Sequence, residues 1–177
     1  MSDVVLGAIQ FGATNNYKNS YLRQLLTQVY NVFTASEKQI IQLTTVDNSA
    51  STTYNTSATN VCENTQDYLF ALSYSELRNT NYGFVADDGA CEARCFGISD
   101  YALGMGGFKT CGAFFWTRSP VSEITGTANY EEGQAASYVF GGNVEGENCG
   151  QFQYYDDNDT SDVKTKLGVL RAMYINL

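Results

Sequence analysis

Few side chains of this 177-residue chain carry reactive chemistry. Histidine is absent, which removes Ser-His-Asp and Cys-His nucleophile activation and every His-ligated metal site. Five cysteines remain: Cys62, Cys91, Cys95, Cys111 and Cys149. An odd number cannot pair completely within one chain. Cys91 and Cys95 stand too far apart for a Cys-x-x-Cys redox motif, and the spacings do not gather thiolates for structural zinc. Unpaired buried thiols are the expected reading, and one or two disulfides the alternative. Asp156, Asp157 and Asp159, with Asp162 just beyond, offer the hard oxygen ligands that calcium takes. The run lacks the glycine and distal glutamate of an EF-hand loop. A solvated acidic turn is the expected reading and calcium the alternative, and no cofactor is called for.

Two arginines sit in otherwise apolar or aromatic segments. One is Phe115-Trp116-Thr117-Arg118-Ser119-Pro120; the other is Gly168-Val169-Leu170-Arg171-Ala172-Met173-Tyr174-Ile175-Asn176-Leu177. Their neighbours place Trp116 in the core and Arg118 on backbone carbonyls or on a carboxylate such as Asp100. Arg171 is read as part of the same scaffold. Between the two segments the chain is rich in Gly, Asn, Tyr and Asp, so a fixed frame surrounds a changeable surface. Of the 177 residues thirteen are Tyr. Tyrosine offers contact area and a polar tip at low entropy cost, which suits binding surfaces. It also suits strands, and both readings stand.

The formal charge of −9 repels phosphate backbones and anionic lipid. Neither a nucleic-acid partner nor membrane insertion is expected, and no run is apolar enough to span a bilayer. The first residues lack the basic start and apolar core of a signal peptide. The length fits one domain over residues 1–177.

The elements that position these residues follow from pattern. Residues 4–11 alternate as a strand, and Asn15-Asn16-Tyr17 reads as a turn. Ser20 caps a helix over 21–32, with Leu22, Leu25, Leu26, Val29 and Phe33 at helical spacing. Thr34 and Glu37 form a capping box for a second helix that carries Ile40 and Ile41 inward. A strand at 43–46 leads into a polar surface loop over 47–63. Residues 68–72 read as a buried strand, Ser73 with Glu76 as another box, Asp87-Asp88-Gly89 as a turn, and 99–103 as a short helix. Strands are expected at 113–118, 136–140, 151–155 and 169–177. Helices in the N-terminal half and an antiparallel meander in the C-terminal half give an α+β fold.

Taken in order, these motifs resemble a bacterial family of domains of unknown function found in clostridial surface and phage-associated proteins. The resemblance rests on Asn19-Ser20 with Arg23 and Leu26, Phe33 with Glu37-Lys38, and Thr44-Thr45-Val46. It continues through Leu72-Ser73 with Glu76, Ser99-Asp100-Tyr101-Ala102, Trp116-Thr117-Arg118-Ser119-Pro120 and the closing ten residues. The family's closing Arg-Pro pair falls on Leu170-Arg171 here; a one-residue shift would turn the arginine to the opposite face of a regular strand. The resemblance implies a C-type-lectin-like fold, related to formylglycine-generating enzymes and to the variable proteins of diversity-generating retroelements. In such targets one face near the C-terminus tolerates heavy variation into Asn, Tyr, Ser, Asp and Gly, the composition of residues 143–162 here. The variable-type region would span about residues 113–167.

The expected function is a non-enzymatic module that binds a protein or glycan ligand on a cell surface, itself displayed on a bacterial surface or phage particle. The candidate binding residues are Tyr130, Tyr138, Asn143, Asn148, Gln151, Gln153, Tyr154, Tyr155 and Asp157. Alternation over 151–155 places Gln151, Gln153 and Tyr155 on one face and Phe152 and Tyr154 on the other. Phe152 suits the core, so the Gln151/Gln153/Tyr155 face is expected in solvent. The alternatives are a structural or assembly domain of a phage or surface protein, and a redox enzyme of the formylglycine-generating type.

Overall fold

Local signals start the N-terminal helices. The computed structural model describes residues 4–5, 8–54, 56, 61–105, 115–120, 136–141, 149–153 and 166–176; at 4–5, 97–98, 102–103, 136–141 and 149–153 it describes the backbone alone. Helix α1 (Tyr21–Asn31) begins where the Ser20 hydroxyl accepts the Arg23 amide at 3.0 Å and donates to the Tyr17 carbonyl at 2.8 Å. Leu22 and Leu26, one turn apart, are fully buried, and Leu25 and Val29 pack beside them. Burying each leucine contributes about 1.5–3 kcal/mol. Helix α2 (Ala35–Ile40) opens on the capping box: the Thr34 hydroxyl accepts the Glu37 amide, and the Glu37 carboxylate accepts the Thr34 amide at 2.8 Å. The Thr34 hydroxyl and then its amide hold the Glu37 carboxyl below its usual range. Only one of the two isoleucines expected inward is buried. Ile41 is, but Ile40 is 48% exposed, because the helix ends there and Ile41 already belongs to strand β3 (Ile41–Gln42).

The remaining elements are short. They are β1 (Val4–Val5), β2 (Ala8–Gln10), β4 (Thr44–Val46), β5 (Thr65–Asp67), β6 (Gly97–Ile98), α3 (Asp100–Gly104), β7 (Phe115–Pro120), β8 (Ala136–Gly141), β9 (Cys149–Gln153), β10 (Lys166–Gly168) and β11 (Tyr174–Ile175). The main sheet has the order β2-β10-β7-β8-β9. Its β7-β8-β9 portion is an antiparallel meander. However, β10 returns parallel to β7, and β2 joins β10 from the other end of the chain. The two halves interlock instead of dividing into helices and then strands. Among the described residues there are also three two-stranded ribbons: β1 with β6, β3 with β11, and β4 with β5. It is an α+β protein with few short helices and small sheets.

Three expected strands are not regular ladders: the run 4–11 divides between β1, paired with β6, and β2, paired with β10. Within 68–72, residues 69–72 are buried, yet among the described residues the segment makes a β-bridge only at Phe70, which exchanges two backbone bonds with Ala172 at 3.0 and 2.8 Å. Three of its other backbone groups are satisfied singly. The Ala71 amide donates to the Tyr17 hydroxyl, the Ala71 carbonyl accepts from Arg118, and the Leu72 carbonyl accepts the Arg118 amide. The strand expected at 169–177 is paired only at the Ala172 bridge and in β11, while β10, just before it, belongs to a different sheet. The polar loop from Asp47 is also more than surface: Asn48, Thr52 and Thr53 are buried, and Ala50–Thr52 forms a 3-10 turn. Around these segments the core closes on edge-to-face aromatic pairs, Phe11 with Trp116 at 5.6 Å and Phe96 with Phe115 at 5.4 Å.

Candidate functional site

All six residues of β7 are buried, although half of them are polar. The strand works as a clamp. The Arg118 guanidinium donates to the carbonyls of Ala71 at 2.8 Å and Asp47 at 3.0 Å, and forks onto both oxygens of Glu76. The carboxylate is Glu76 and not Asp100. Glu76 is also held by the Ser73 box: its carboxylate accepts the Ser73 amide at 2.7 Å, while the Ser73 hydroxyl accepts the Glu76 amide at 3.1 Å. The Ser119 hydroxyl accepts the Tyr74 amide and donates to the Thr52 carbonyl, both at 3.0 Å. Trp116 is 1% exposed, and its indole N–H donates to the Ile9 carbonyl at 2.9 Å. The Arg171 guanidinium lies 5.8 Å from the Phe33 ring centroid, with Nε buried and without a hydrogen bond. Since Arg171 lies between β10 and β11, strand alternation does not decide its direction.

In the meander, Tyr138 stands opposite Gln153, Val139 opposite Phe152 and Phe140 opposite Gln151. Residues directly opposite share a face of the pleat, so Tyr138, Phe140, Gln151 and Gln153 occupy one face. The row of Val139 and Phe152 continues to Phe115, and the row of Tyr138 and Gln153 continues to Trp116. The register shifts between Trp116 and Pro120, and again between Phe140 and Gly141, marking irregularities on either side of β8. Tyr130, Asn143, Asn148, Tyr154, Tyr155 and Asp157 lie outside the described residues, as do the calcium candidates Asp156, Asp159 and Asp162. Among the described residues no three His, Cys, Asp or Glu side chains gather at one point, and no helix is long and apolar enough to cross a membrane.

The described cysteines divide between the two states that the sequence left open. Cys62 and Cys91 are free, but Cys95 is disulfide-bonded, to a partner outside the described side chains. Pairing depends on tertiary approach, which spacing in sequence does not show. Burial pushes the half-buried Cys62 thiol up and leaves it a poor nucleophile.

Three features had no sequence signal. Arg94 is fully buried and donates to the carbonyls of Leu77, Val85, Asp87 and Gly89, wrapping the loop around one cation. An apolar pocket of about 190 Å³ lies among α1, β2 and α3, lined by Ile9, Leu25, Val29, Tyr101 and Met105. A second pocket, of about 250 Å³, lies between α1 and the segment beginning at β5, where Arg23, Thr27 and Tyr30 face Gln66, Asp67 and Tyr68. There Arg23 Nε meets Asp67 Oδ1 at 2.8 Å, and the rings of Tyr30 and Tyr68 stack in parallel at 4.2 Å. The residues of these features come from separated parts of the chain, which is why no local motif announced them.

A family model described as a domain of unknown function, DUF6273, matches residues 2–165. The chain belongs to the DUF6273 family. The DUF6273 span contains β1 through β9, hence the whole β7 clamp and the second pocket; the closing run Gly168–Leu177 lies beyond it. Among curated proteins and solved structures nothing matches the chain.

Proposed function

We propose that this DUF6273 protein is a non-enzymatic binding module of C-type-lectin-like fold that recognises a protein or glycan ligand on a cell surface through its C-terminal face. The observation that carries this reading is the place of β9. Among the described residues it is the outer strand of the main sheet, and its Gln151 and Gln153 stand opposite Phe140 and Tyr138. Amide and aromatic positions are thereby aligned at a sheet edge, a combination suited to adaptable hydrogen bonding beside flat contact area. The β7 clamp supports such a face with a buried, cross-linked strand two places inward. The composition of residues 143–162 fits a segment diversified by a retroelement. The disulfide at Cys95 fits an oxidising exterior, in keeping with a bacterial surface or phage particle.

The test is binding to immobilised glycans and to intact bacterial cells. Gln153→Ala and Tyr138→Ala are expected to weaken binding about tenfold or more while the melting temperature stays unchanged. Undiminished binding by both variants overturns the assignment of this face. A reverse transcriptase and template repeat beside the gene are expected if the segment is diversified, and their absence removes that part of the reading.

A second reading, a structural or assembly domain of a phage or surface protein, is favoured by the β3–β11 ribbon. Ile40, Leu43, Tyr82, Tyr174 and Ile175 are all exposed around it, and exposed apolar side chains gathered in one region mark contact surfaces.

A further inference from the structure

The pocket beside α1 belongs to neither the C-terminal face nor the main sheet. We propose that it binds one neutral pyranose ring, with Tyr68 as the stacking platform and Arg23, Thr27 and Gln66 bonding to the ring hydroxyls. A pyranose has an apolar C–H face and a rim of hydroxyls that both donate and accept. Its site therefore needs a flat aromatic surface next to fixed polar groups of both kinds.

The aromatic part is in place. Tyr30 and Tyr68 are parallel to within 1°. Tyr30 is occupied by Tyr68, by the Phe33 ring edge-to-face at 6.3 Å and by the Lys38 ammonium at 5.2 Å from its centroid. Tyr68 carries Tyr30 on one face and meets no other ring or cation among the described residues. It is half-buried and lines the pocket with Leu43 and Leu69.

The polar groups keep spare capacity. Arg23 spends Nε on Asp67, Nη1 on the Lys18 carbonyl and Nη2, at 3.5 Å, on the Gln66 carbonyl, so two of its five N–H groups are left. The Gln66 amide nitrogen donates to the Thr45 hydroxyl at 2.7 Å, which leaves its side-chain oxygen to accept. The Thr27 hydroxyl donates to the Arg23 carbonyl at 3.0 Å and can also accept. The guanidinium is held before any ligand arrives, because Asp67 is itself buried and takes a 2.6 Å bond from the Thr65 hydroxyl. A group already fixed loses little entropy on binding.

Size and charge narrow the ligand. A volume of about 250 Å³ is below the roughly 300–1,000 Å³ of drug-sized sites, so it admits one ring and not a nucleotide. The net charge of −9 disfavours anionic sugars, and the one carboxylate in the pocket is already matched by Arg23. The site shares no element with β8 or β9, so its failure and the failure of the C-terminal face are separate results.

The test is an NMR titration of the ¹⁵N-labelled full chain with methyl β-glucopyranoside, methyl β-galactopyranoside and methyl β-N-acetylglucosaminide. Saturable millimolar shifts are expected for at least one sugar, confined to amides near residues 23–30 and 66–69. Tyr68→Ala is expected to weaken that affinity about tenfold, and Tyr68→Phe to retain it. Thr27→Val, on an exposed position of α1, is a second variant should Tyr68→Ala disturb folding, and is expected to weaken binding about threefold. Shifts absent for all three sugars, shifts confined to other regions, or affinity unchanged in the folded variants overturn the proposal.

Discussion

Tyr17 shows what one buried group does to the pH range of the protein. It is 1% exposed, and its oxygen accepts the Ala71 amide. Burial first, and the nearby Asp67 carboxylate second, push its phenol well above its ordinary value. A raised pKa in the folded state favours the neutral phenol. The resulting stability is complete below the unfolded pKa of about 10 and is lost as pH rises from there toward the folded value. Tyr17→Phe removes this titration but leaves the Ala71 amide unpaired, at about 1–3 kcal/mol. The variant is expected to be less stable at pH 8, with a shallower loss of stability between pH 10 and 11. Urea midpoints across that range check this, and equal slopes in the two proteins would refute it. At this scale the sequence was partly legible. Apolar neighbours placed Trp116 and Arg118 inside, because flanking hydrophobicity is local information. Glu76 as the carboxylate partner was not legible, because it is set by the meeting of two distant segments.

At the scale of elements, β7 holds three other segments through Arg118, whose partners are Asp47, Ala71 and Glu76. A lysine keeps the charge, but its single ammonium cannot fork onto a carboxylate and two carbonyls. Arg118→Lys is expected to cost about 1.5–3 kcal/mol in urea unfolding at neutral pH; a loss below roughly 0.5 kcal/mol, the size of an ordinary surface substitution, would remove the clamp from the account. Helix starts were the most legible elements, since Ser20 and the Thr34–Glu37 box act within one turn of their own helices. The segment 68–72 was the least legible. Its run of apolar residues correctly signalled burial, but whether a buried run forms a ladder depends on which backbone lies alongside. Here that backbone is one residue of the closing segment, a tyrosine hydroxyl and an arginine.

For the whole molecule, the α+β class and the β7-β8-β9 meander were legible, while the return of β10 parallel to β7 and the joining of β2 were not. Alternation reports that a strand exists, and its neighbour is chosen by the rest of the fold. The cysteines were illegible for the same reason. The Cys95 disulfide limits the freedom of the unfolded chain, and reduction with dithiothreitol is expected to lower stability by about 2–4 kcal/mol. Peptide mapping under non-reducing conditions is expected to find Cys62 and Cys91 alkylated and Cys95 protected. Labelling of Cys95 in the native, unreduced protein would contradict the structure.

The cation inside the 85–89 loop has a consequence for how the folded chain meets a protease. Arg94 is sealed by four carbonyls, and Arg118 is 2% exposed, whereas Lys18 lies open to solvent. Trypsin must draw an extended stretch of chain into its cleft, so in the native protein Arg94 is withheld from it. Cleavage after Arg94 then reports the opening of this one loop and dates it against the loss of the rest of the fold.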